Sequence, residues 1–311
     1  MEGPSTWRLE NARGLATEFS AEPEVRAVLL IGAVSEAIAD TFSETHMHVF
    51  WTQLPSIEQQ KRVLERVGGQ SVYGVADLHP GVPAEGYAPF RLPQVRLTTT
   101  HGGFEDGCGS GYPIELENDT LATTEQCLDE VLEDHRVERI RFELLNTIQL
   151  GLPLYGEDVV AGWKERLTSY PVQLQRRVIE NAVDDLWRRI RYAHILVARE
   201  DVVEYFRELS ITGHILLRLL FGLNKIFGWQ ESPKRYGRQI ARFAIRPDDF
   251  YARLGSTFRQ PIADSHVEII TLARETVRLA TAHVPDLEPL LSRYMIDDPP
   301  EWDGAHRAQA E

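Results

Sequence analysis

The spacing of apolar residues divides the chain into two parts that predict different kinds of structure. In the first 120 residues, short apolar runs of strand length alternate with stretches whose apolar residues recur every three or four positions. The predicted strands lie at 28–31, from about 45, and at 71–76, 94–100 and 112–117, and the predicted helices lie at 7–21 and 56–68. This alternation indicates a mixed β-sheet covered by helices.

From about Leu121 the strand signal ends and helical spacing takes over. Helices are predicted near 123–134, 136–150, 157–167, 171–199, 201–227, 233–244 and 262–283. The segment 151–158 concentrates glycine and proline, so we predict that it connects the two halves. The resulting fold class is α+β, with a sheet domain at 1–120, an all-α helical bundle at 121–299 and a loosely ordered tail at 300–311.

The charge of the chain limits the kinds of partner it can bind. The formal net charge is −14, and the lysines are Lys61, Lys164, Lys225 and Lys234. Proteins that wrap nucleic acid neutralise phosphates with clustered basic residues, so we expect no nucleic-acid partner. A small molecule bound in a local pocket is compatible with this charge.

Cysteine content and apolar run lengths indicate the compartment. Cys108 and Cys127 are too few for a disulfide framework, and we expect both to be reduced. The N-terminus lacks the apolar core of a signal peptide, and no apolar run is long enough to span a membrane. We therefore expect a soluble, cytoplasmic protein with no membrane partner.

The stretch from Val28 to Trp51 carries the most specific pattern. It reads VLLIGAVSEAIADTFSETHMHVFW: a buried strand runs into Gly32, a short helical turn extends to Asp40, and a second strand begins near Thr45. This layout resembles the nucleotidyltransferase superfamily, in particular its two-domain aminoglycoside (kanamycin) nucleotidyltransferase-like branch. The resemblance implies a nucleotidyltransferase-like α/β domain followed by a helical domain, with the active site in the cleft between them.

The second half carries further features of that family in the same order. They are Tyr170-Pro171, a long helix with Trp187, the pair Leu223-Asn224, and Lys234 after a longer connection than usual. The resemblance implies that Asn224 and Lys234 contact the substrate.

The residues at the family's catalytic positions differ from the family pattern. There, the first strand ends in Gly-Ser, and the second opens with Ser-Asp-x-Asp, whose two carboxylates hold Mg²⁺ on a nucleoside triphosphate. Here these motifs read Gly32-Ala33 and Ser43-Glu44-Thr45-His46. The position of the third carboxylate matches Glu115, and Glu117 lies on the same strand face.

The resemblance thus implies a catalytic set and a group of substrate-binding residues. The catalytic set is Glu44, His46 and Glu115, and the residues expected beside the substrate are Gly32, Ala33, Ser43 and His48. Mg²⁺ prefers oxygen ligands, and an imidazole cannot bridge two Mg²⁺ ions as a carboxylate does. Ala33 also lacks the hydroxyl expected to contact phosphate, and Ala37 stands in place of a glycine. Several substitutions in one site argue against drift at a single position.

Three hypotheses follow for this site. In the first, Glu44, His46 and His48 bind a different metal together with Glu115 or His101. In the second, which we rank first, His46 and Glu44 act as an acid–base pair without a metal or other cofactor, in isomerisation, cyclisation or elimination on a small molecule of specialised metabolism. In the third, the site is inactive and the fold serves as a binding or regulatory module.

Retained nucleotidyl transfer is the main alternative. It would use Mg²⁺ and a nucleoside triphosphate to modify a hydroxyl of an aminoglycoside-like molecule. In that case the helical domain would supply the carboxylate that deprotonates the acceptor. The candidates for this carboxylate are Glu180, Asp184 and Glu208. The glycine-rich segment 101–112 is either a surface connection or a lid.

Overall fold

A computed structural model describes residues 4–56, 59, 62, 63, 66, 69–71, 92–97, 112–228, 236–284 and 287. The chain divides into two compact units. The first contains Met1–Asp134 and Leu144–Ser169, and the second contains His135–Glu143 and Tyr170–Glu311. The chain therefore passes between the units at three points, whereas the sequence predicts one boundary after residue 120.

The first unit, called the sheet unit below, alternates strands and helices. Its elements are α1 (Pro4–Ser20), β1 (Val25–Ile31), α2 (Gly32–Ser35), β2 (Thr45–Trp51), β3 (Gly69–Ser71), β4 (Leu92–Leu97), β5 (Tyr112–Thr120), α3 (Leu121–Leu132), the end of α4 (Arg139–Leu150), β6 (Leu152–Tyr155) and α5 (Glu157–Arg166). Within the described residues these strands form one six-stranded sheet in the order β3-β4-β5-β2-β1-β6.

The sheet is mixed, and its one parallel pair among the described strands lies at the centre. β2 runs parallel to β5, with His46 opposite Glu115 and His48 opposite Glu117. The pairs β1–β2, β1–β6, β3–β4 and β4–β5 are antiparallel. The central pairing joins segments about 70 residues apart, so it is a tertiary feature that no local pattern specifies.

One face of the sheet packs against α1. Ala12, Leu15 and Phe19 of α1 are buried against alternate residues of the central strands. On β2, the residues Met47, Val49 and Trp51 face this core, and the Trp51 indole donates a 2.7 Å hydrogen bond to Asn118 Oδ1. Because side chains alternate along a strand, His46, His48 and Phe50 lie on the opposite face.

The segment 151–158 differs from its prediction as a simple connection. Residues 152–155 form β6, an edge strand that pairs with β1 through Val28, Leu29 and Leu30. Gly156 follows with φ of +67° and begins α5. A Cβ there would be 2.0 Å from the Arg26 carbonyl oxygen, so glycine is required. The strand is short and carries a proline, so sequence pattern alone favoured a loop.

The second unit, called the helical unit below, contains α6 (Val172–Ala198), α7 (Val202–Leu223), α8 (Tyr236–Ala241), α9 (Phe250–Thr257) and α10 (Ile262–His283). Its long helices α6, α7 and α10 bury apolar stripes in one core, which includes Leu186, Leu216 and Leu272. Helix α9 was not predicted from sequence.

The predicted α+β class, a mixed sheet flanked by helices and followed by a helical region, is confirmed. Among the described helices, none is long and apolar enough to cross a bilayer. The predicted tail at 300–311 lies outside the described residues.

Candidate active site

The turn after β1 is built around Gly32. Its φ of +71° lies in the left-handed region, which glycine adopts most easily. The preceding residue, Ile31, pairs with His46 on β2. A Cβ on Gly32 would be 4.0 Å from the His46 Cβ, so conformation rather than lack of space favours glycine here. Gly32 therefore lies beside His46.

The turn continues through Ala33 and Ala37. The Ala33 carbonyl accepts a 2.9 Å hydrogen bond from Ile38 N. Ala37 has a φ of 56°, in the left-handed region that costs an L-residue about 1–2 kcal/mol.

Ser43 and Glu44 precede β2. The Ser43 hydroxyl donates to Asp40 Oδ1 at 2.8 Å and accepts from Asp40 N at 2.9 Å, which closes a tight turn. Phe42 lies at the tip of this turn and is exposed to solvent. Glu44 is half-buried directly before the strand. The serine hydroxyl therefore has a structural use in addition to its predicted place beside the substrate.

Two histidines of β2 meet two carboxylates of β5 on the sheet face opposite α1. His46 Nε2 lies 3.1 Å from Glu117 Oε1. His48 Nδ1 lies 3.5 Å from Glu117 Oε2, and His48 Nε2 lies 3.0 Å from Asp119 Oδ2. The four side chains form a continuous row, Asp119–His48–Glu117–His46, which we call the histidine–carboxylate row.

Exposure differs along this row. His48 is 2% exposed, Glu117 15%, Asp119 18% and His46 22%. The row thus has a buried member, His48, and two partly exposed ends, of which His46 is the one that carries an imidazole. Only His46 combines an imidazole with access to a bound molecule.

The contacts along the row are of two kinds. His48 Nε2 is within hydrogen-bond distance of Asp119 Oδ2. The contacts of Glu117 with His46 Nε2 and His48 Nδ1 have ion-pair distances but not the geometry of hydrogen bonds. The row therefore holds the two imidazoles and the two carboxylates in electrostatic contact.

Aromatic side chains continue the row along the same face. The His48 ring stacks on Phe50 with centroids 4.3 Å apart, and Phe50 contacts Trp163 of α5 at 4.8 Å. The Trp163 indole donates a 2.6 Å hydrogen bond to Glu125. These contacts enclose His48 and leave His46 at the open end.

The structure brings together some of the predicted catalytic residues. Glu115 pairs with His46 through the backbone of the parallel strands, and its side chain lies outside the described residues. His101 and the glycine-rich segment also lie outside them. Sequence reasoning missed Asp119. Alternation along β5 predicts that Asp119 shares a face with Glu117, but its position beside His48 follows from the register between β2 and β5.

The predicted substrate-binding residues of the second half have other surroundings. The Asn224 side chain donates to the carbonyls of Leu220 and Ile245 and accepts from Ile245 N, each at 2.8 Å. Its amide therefore joins the end of α7 to the segment before α9. Lys234 lies outside the described residues.

The three candidate acceptor bases of the helical unit are all paired with arginine. Glu208 is fully buried and contacts Arg189 and Arg207 at 3.0 and 2.7 Å. Glu180 contacts Arg176 at 2.7 Å, and Asp184 contacts Arg188 at 3.0 Å. Each of these carboxylates therefore already has a cationic partner in the folded chain.

Within the described residues, no group of three or more His, Cys, Asp or Glu side chains is arranged to hold a metal ion. No family model and no curated protein matches the chain. Among solved structures, the chain is similar to a nucleotidyltransferase-like protein from Exiguobacterium sibiricum 255-15, at 13% identity, over 90% of this chain and 79% of that chain, with a TM-score of 0.41. At this TM-score we draw nothing from the similarity about fold or function.

Proposed function

We propose that this protein is an enzyme that performs metal-independent acid–base chemistry on a small organic molecule, with His46 as the proton-exchanging group. The observation that carries the proposal is the 3.1 Å contact between His46 Nε2 and Glu117 Oε1 at the accessible end of the histidine–carboxylate row. A carboxylate that contacts one ring nitrogen orients the imidazole and stabilises its protonated form. Glu117 thereby takes the positioning role that sequence alone assigned to Glu44.

The chemistry that suits this pair neither oxidises nor reduces the substrate. His46 accepts a proton from a carbon or hydroxyl of the bound molecule, and the imidazolium returns it to another atom of the same molecule or to a leaving hydroxyl. The first outcome is an isomerisation or cyclisation, and the second is an elimination that releases water. Histidine suits both steps because it gains and loses a proton near neutral pH.

The Mg²⁺ that the resemblance implies does not fit the described donor set. An imidazole occupies the position of the bridging carboxylate, and the nearby Glu117 carboxylate already faces two histidines. Imidazole is a poor ligand for a hard cation that prefers an octahedron of oxygens. We therefore derive no step through Mg²⁺.

Nucleotidyl transfer is the second candidate. The observations that favour it are the left-handed Gly32 at the end of β1 and the pairing of His46 with Glu115 on a parallel strand, because both match the layout of the family. Its substrates would be a nucleoside triphosphate and a hydroxylated acceptor.

A metabolite-mixture assay separates these candidates. The purified protein is incubated with a pool of small molecules in buffer containing EDTA, and in parallel with Mg²⁺ and each of the four nucleoside triphosphates. Mass spectrometry follows products, and a coupled assay follows pyrophosphate. The proposal expects a product of unchanged mass, or one that has lost water, in EDTA. In deuterated water, an isomer that His46 reprotonates on carbon should also gain deuterium at that carbon.

Variants connect that product to the row. His46→Ala should abolish it, whereas His283→Asn, a change at an exposed histidine of α10, should leave it unchanged. Pyrophosphate release that requires Mg²⁺, with no product in EDTA, would establish the transferase instead. Binding of a metabolite without turnover in either buffer would favour a binding or regulatory module.

A further inference from the structure

A second group of histidines lies in the helical unit, and neither the resemblance nor the proposed function uses it. His266 of α10 is 5% exposed. Its ring centroid lies 5.7 Å from that of His194 on α6 and 6.1 Å from that of Tyr205 on α7. The neighbouring Ser265 hydroxyl accepts a 2.8 Å hydrogen bond from the Tyr205 phenol. His266 therefore lies where three helices meet.

Both ring nitrogens of His266 lack a hydrogen-bond partner among the described residues. Buried polar atoms in native proteins are almost always paired, so two unpaired nitrogens on one ring require an explanation. The hydroxyls of the neighbouring Tyr205 and Ser265 are hydrogen-bonded to each other. A bound metal ion that accepts the imidazole lone pair would give one of the two nitrogens a partner, and the other nitrogen would then carry the proton.

Geometry restricts the size and type of that species. Two imidazoles that bind one tetrahedral ion at about 2.0–2.1 Å place their ring centroids roughly 5 Å apart. The observed separation of 5.7 Å between His194 and His266 is close to this value and can be closed by small rotations of the two side chains. The half-buried His194 leaves one side of the pair accessible to solvent, from which water can complete the coordination.

We propose that His194 and His266 form a two-imidazole site for a divalent transition-metal ion of the zinc class, which joins α6 to α10. Neutral imidazole suits zinc and its neighbours in the first transition series, and it does not suit Mg²⁺ or Ca²⁺. The site is separate from the proposed catalytic chemistry.

Thermal unfolding of the full-length protein after dialysis against a chelator tests the proposal. Zinc chloride at about 100 times its Kd should raise the melting temperature by roughly 5–10 °C, because a ligand that binds only the folded state stabilises it by mass action. Calorimetric titration should give a stoichiometry of one zinc ion per chain bound at the His194–His266 site. MgCl₂ at the same concentration should produce no rise.

Matched variants locate the ion. The zinc response should be lost in His194→Asn and in His266→Leu, and retained in His283→Asn. Because His194 is half-buried, we expect His194→Asn to fold. This variant therefore tests the site even if His266→Leu unfolds. A response that persists in His194→Asn, or that is lost in His46→Asn instead, would overturn the proposal, as would the absence of any zinc response in the unmodified chain.

Discussion

His48 in the sheet unit and His266 in the helical unit are buried to nearly the same extent, at 2% and 5% exposure. Their surroundings differ. His48 Nε2 lies 3.0 Å from Asp119, and His48 Nδ1 lies 3.5 Å from Glu117 without forming a hydrogen bond, whereas neither nitrogen of His266 has a polar partner among the described residues and its ring lies among His194 and aromatic side chains. Burial alone therefore does not determine what a histidine can do. Carboxylates give His48 ion-pair partners, whereas the apolar setting of His266 supplies none.

The largest effect is expected at the accessible end of the row in the sheet unit. His46→Ala should lower turnover by about 10²–10⁴-fold, the usual contribution of a general acid–base group. The melting temperature should change little, because the side chain is partly exposed. Rates of product formation and thermal unfolding, measured side by side, check this. Equal rates for variant and unmodified chain would contradict the assignment of His46.

Removing the buried member of the row should destabilise the protein. His48→Leu leaves Glu117 and Asp119 without the imidazole between them, and we expect a loss of about 2–3 kcal/mol, reduced from the fully buried case because both carboxylates keep some solvent. Urea denaturation gives the change in free energy of unfolding. An unchanged stability would mean that the row is not electrostatically coupled.

Acid should weaken the helical unit through His266. Its pKa is about 4 in the folded protein, below the ordinary 6.5, so the unfolded chain binds protons first as pH falls. The stability associated with neutral His266 is present above about pH 6.5, is lost progressively toward pH 4, and amounts to about 1–3 kcal/mol. Unfolding measured from pH 7 to 5 should show this slope, and His266→Leu should flatten it. Identical slopes for the two proteins would contradict the prediction.

The smallest effect on stability is expected at His266, and it tests the comparison between the two buried histidines directly. His266→Leu is the same substitution as His48→Leu, yet at pH 7 without metal it should be neutral or stabilising by about 1 kcal/mol, because it replaces two unpaired buried nitrogens with carbon. Denaturation in EDTA measures this. A destabilisation comparable with that of His48→Leu would show that His266 has a polar partner in the folded protein.

Much of the fold could be predicted from local pattern. Helices α1, α6, α7 and α10 follow from three- and four-residue apolar spacing, and β1, β2 and β5 follow from apolar runs. Residues that pair across long separations could not be predicted in this way. The edge strand β6 exists because β1 offers it backbone partners, and its own sequence favours a connection.

The candidate site shows the same division. Alternation along β2 predicts that His46 and His48 share a face, and it does so without knowledge of any neighbour. The position of Asp119 beside His48 depends on the register between β2 and β5, which joins residues 71 positions apart. Asn224 was identified by its place in a family pattern, and its contacts with Leu220 and Ile245 appear only in the folded chain.

The sequence by itself determined that this chain has a sheet-forming half and a helical half, that its formal net charge is −14, and that Glu44 and His46 lie two residues apart at the start of a strand. These properties follow from composition and from the local spacing of residues, so each segment shows them without reference to the rest of the chain. Only the tertiary structure decided which carboxylates meet His46 and His48 and that His266 is buried without a hydrogen-bond partner among the described residues. Those outcomes depend on strand register and helix packing, which arise from contacts between residues far apart in the chain.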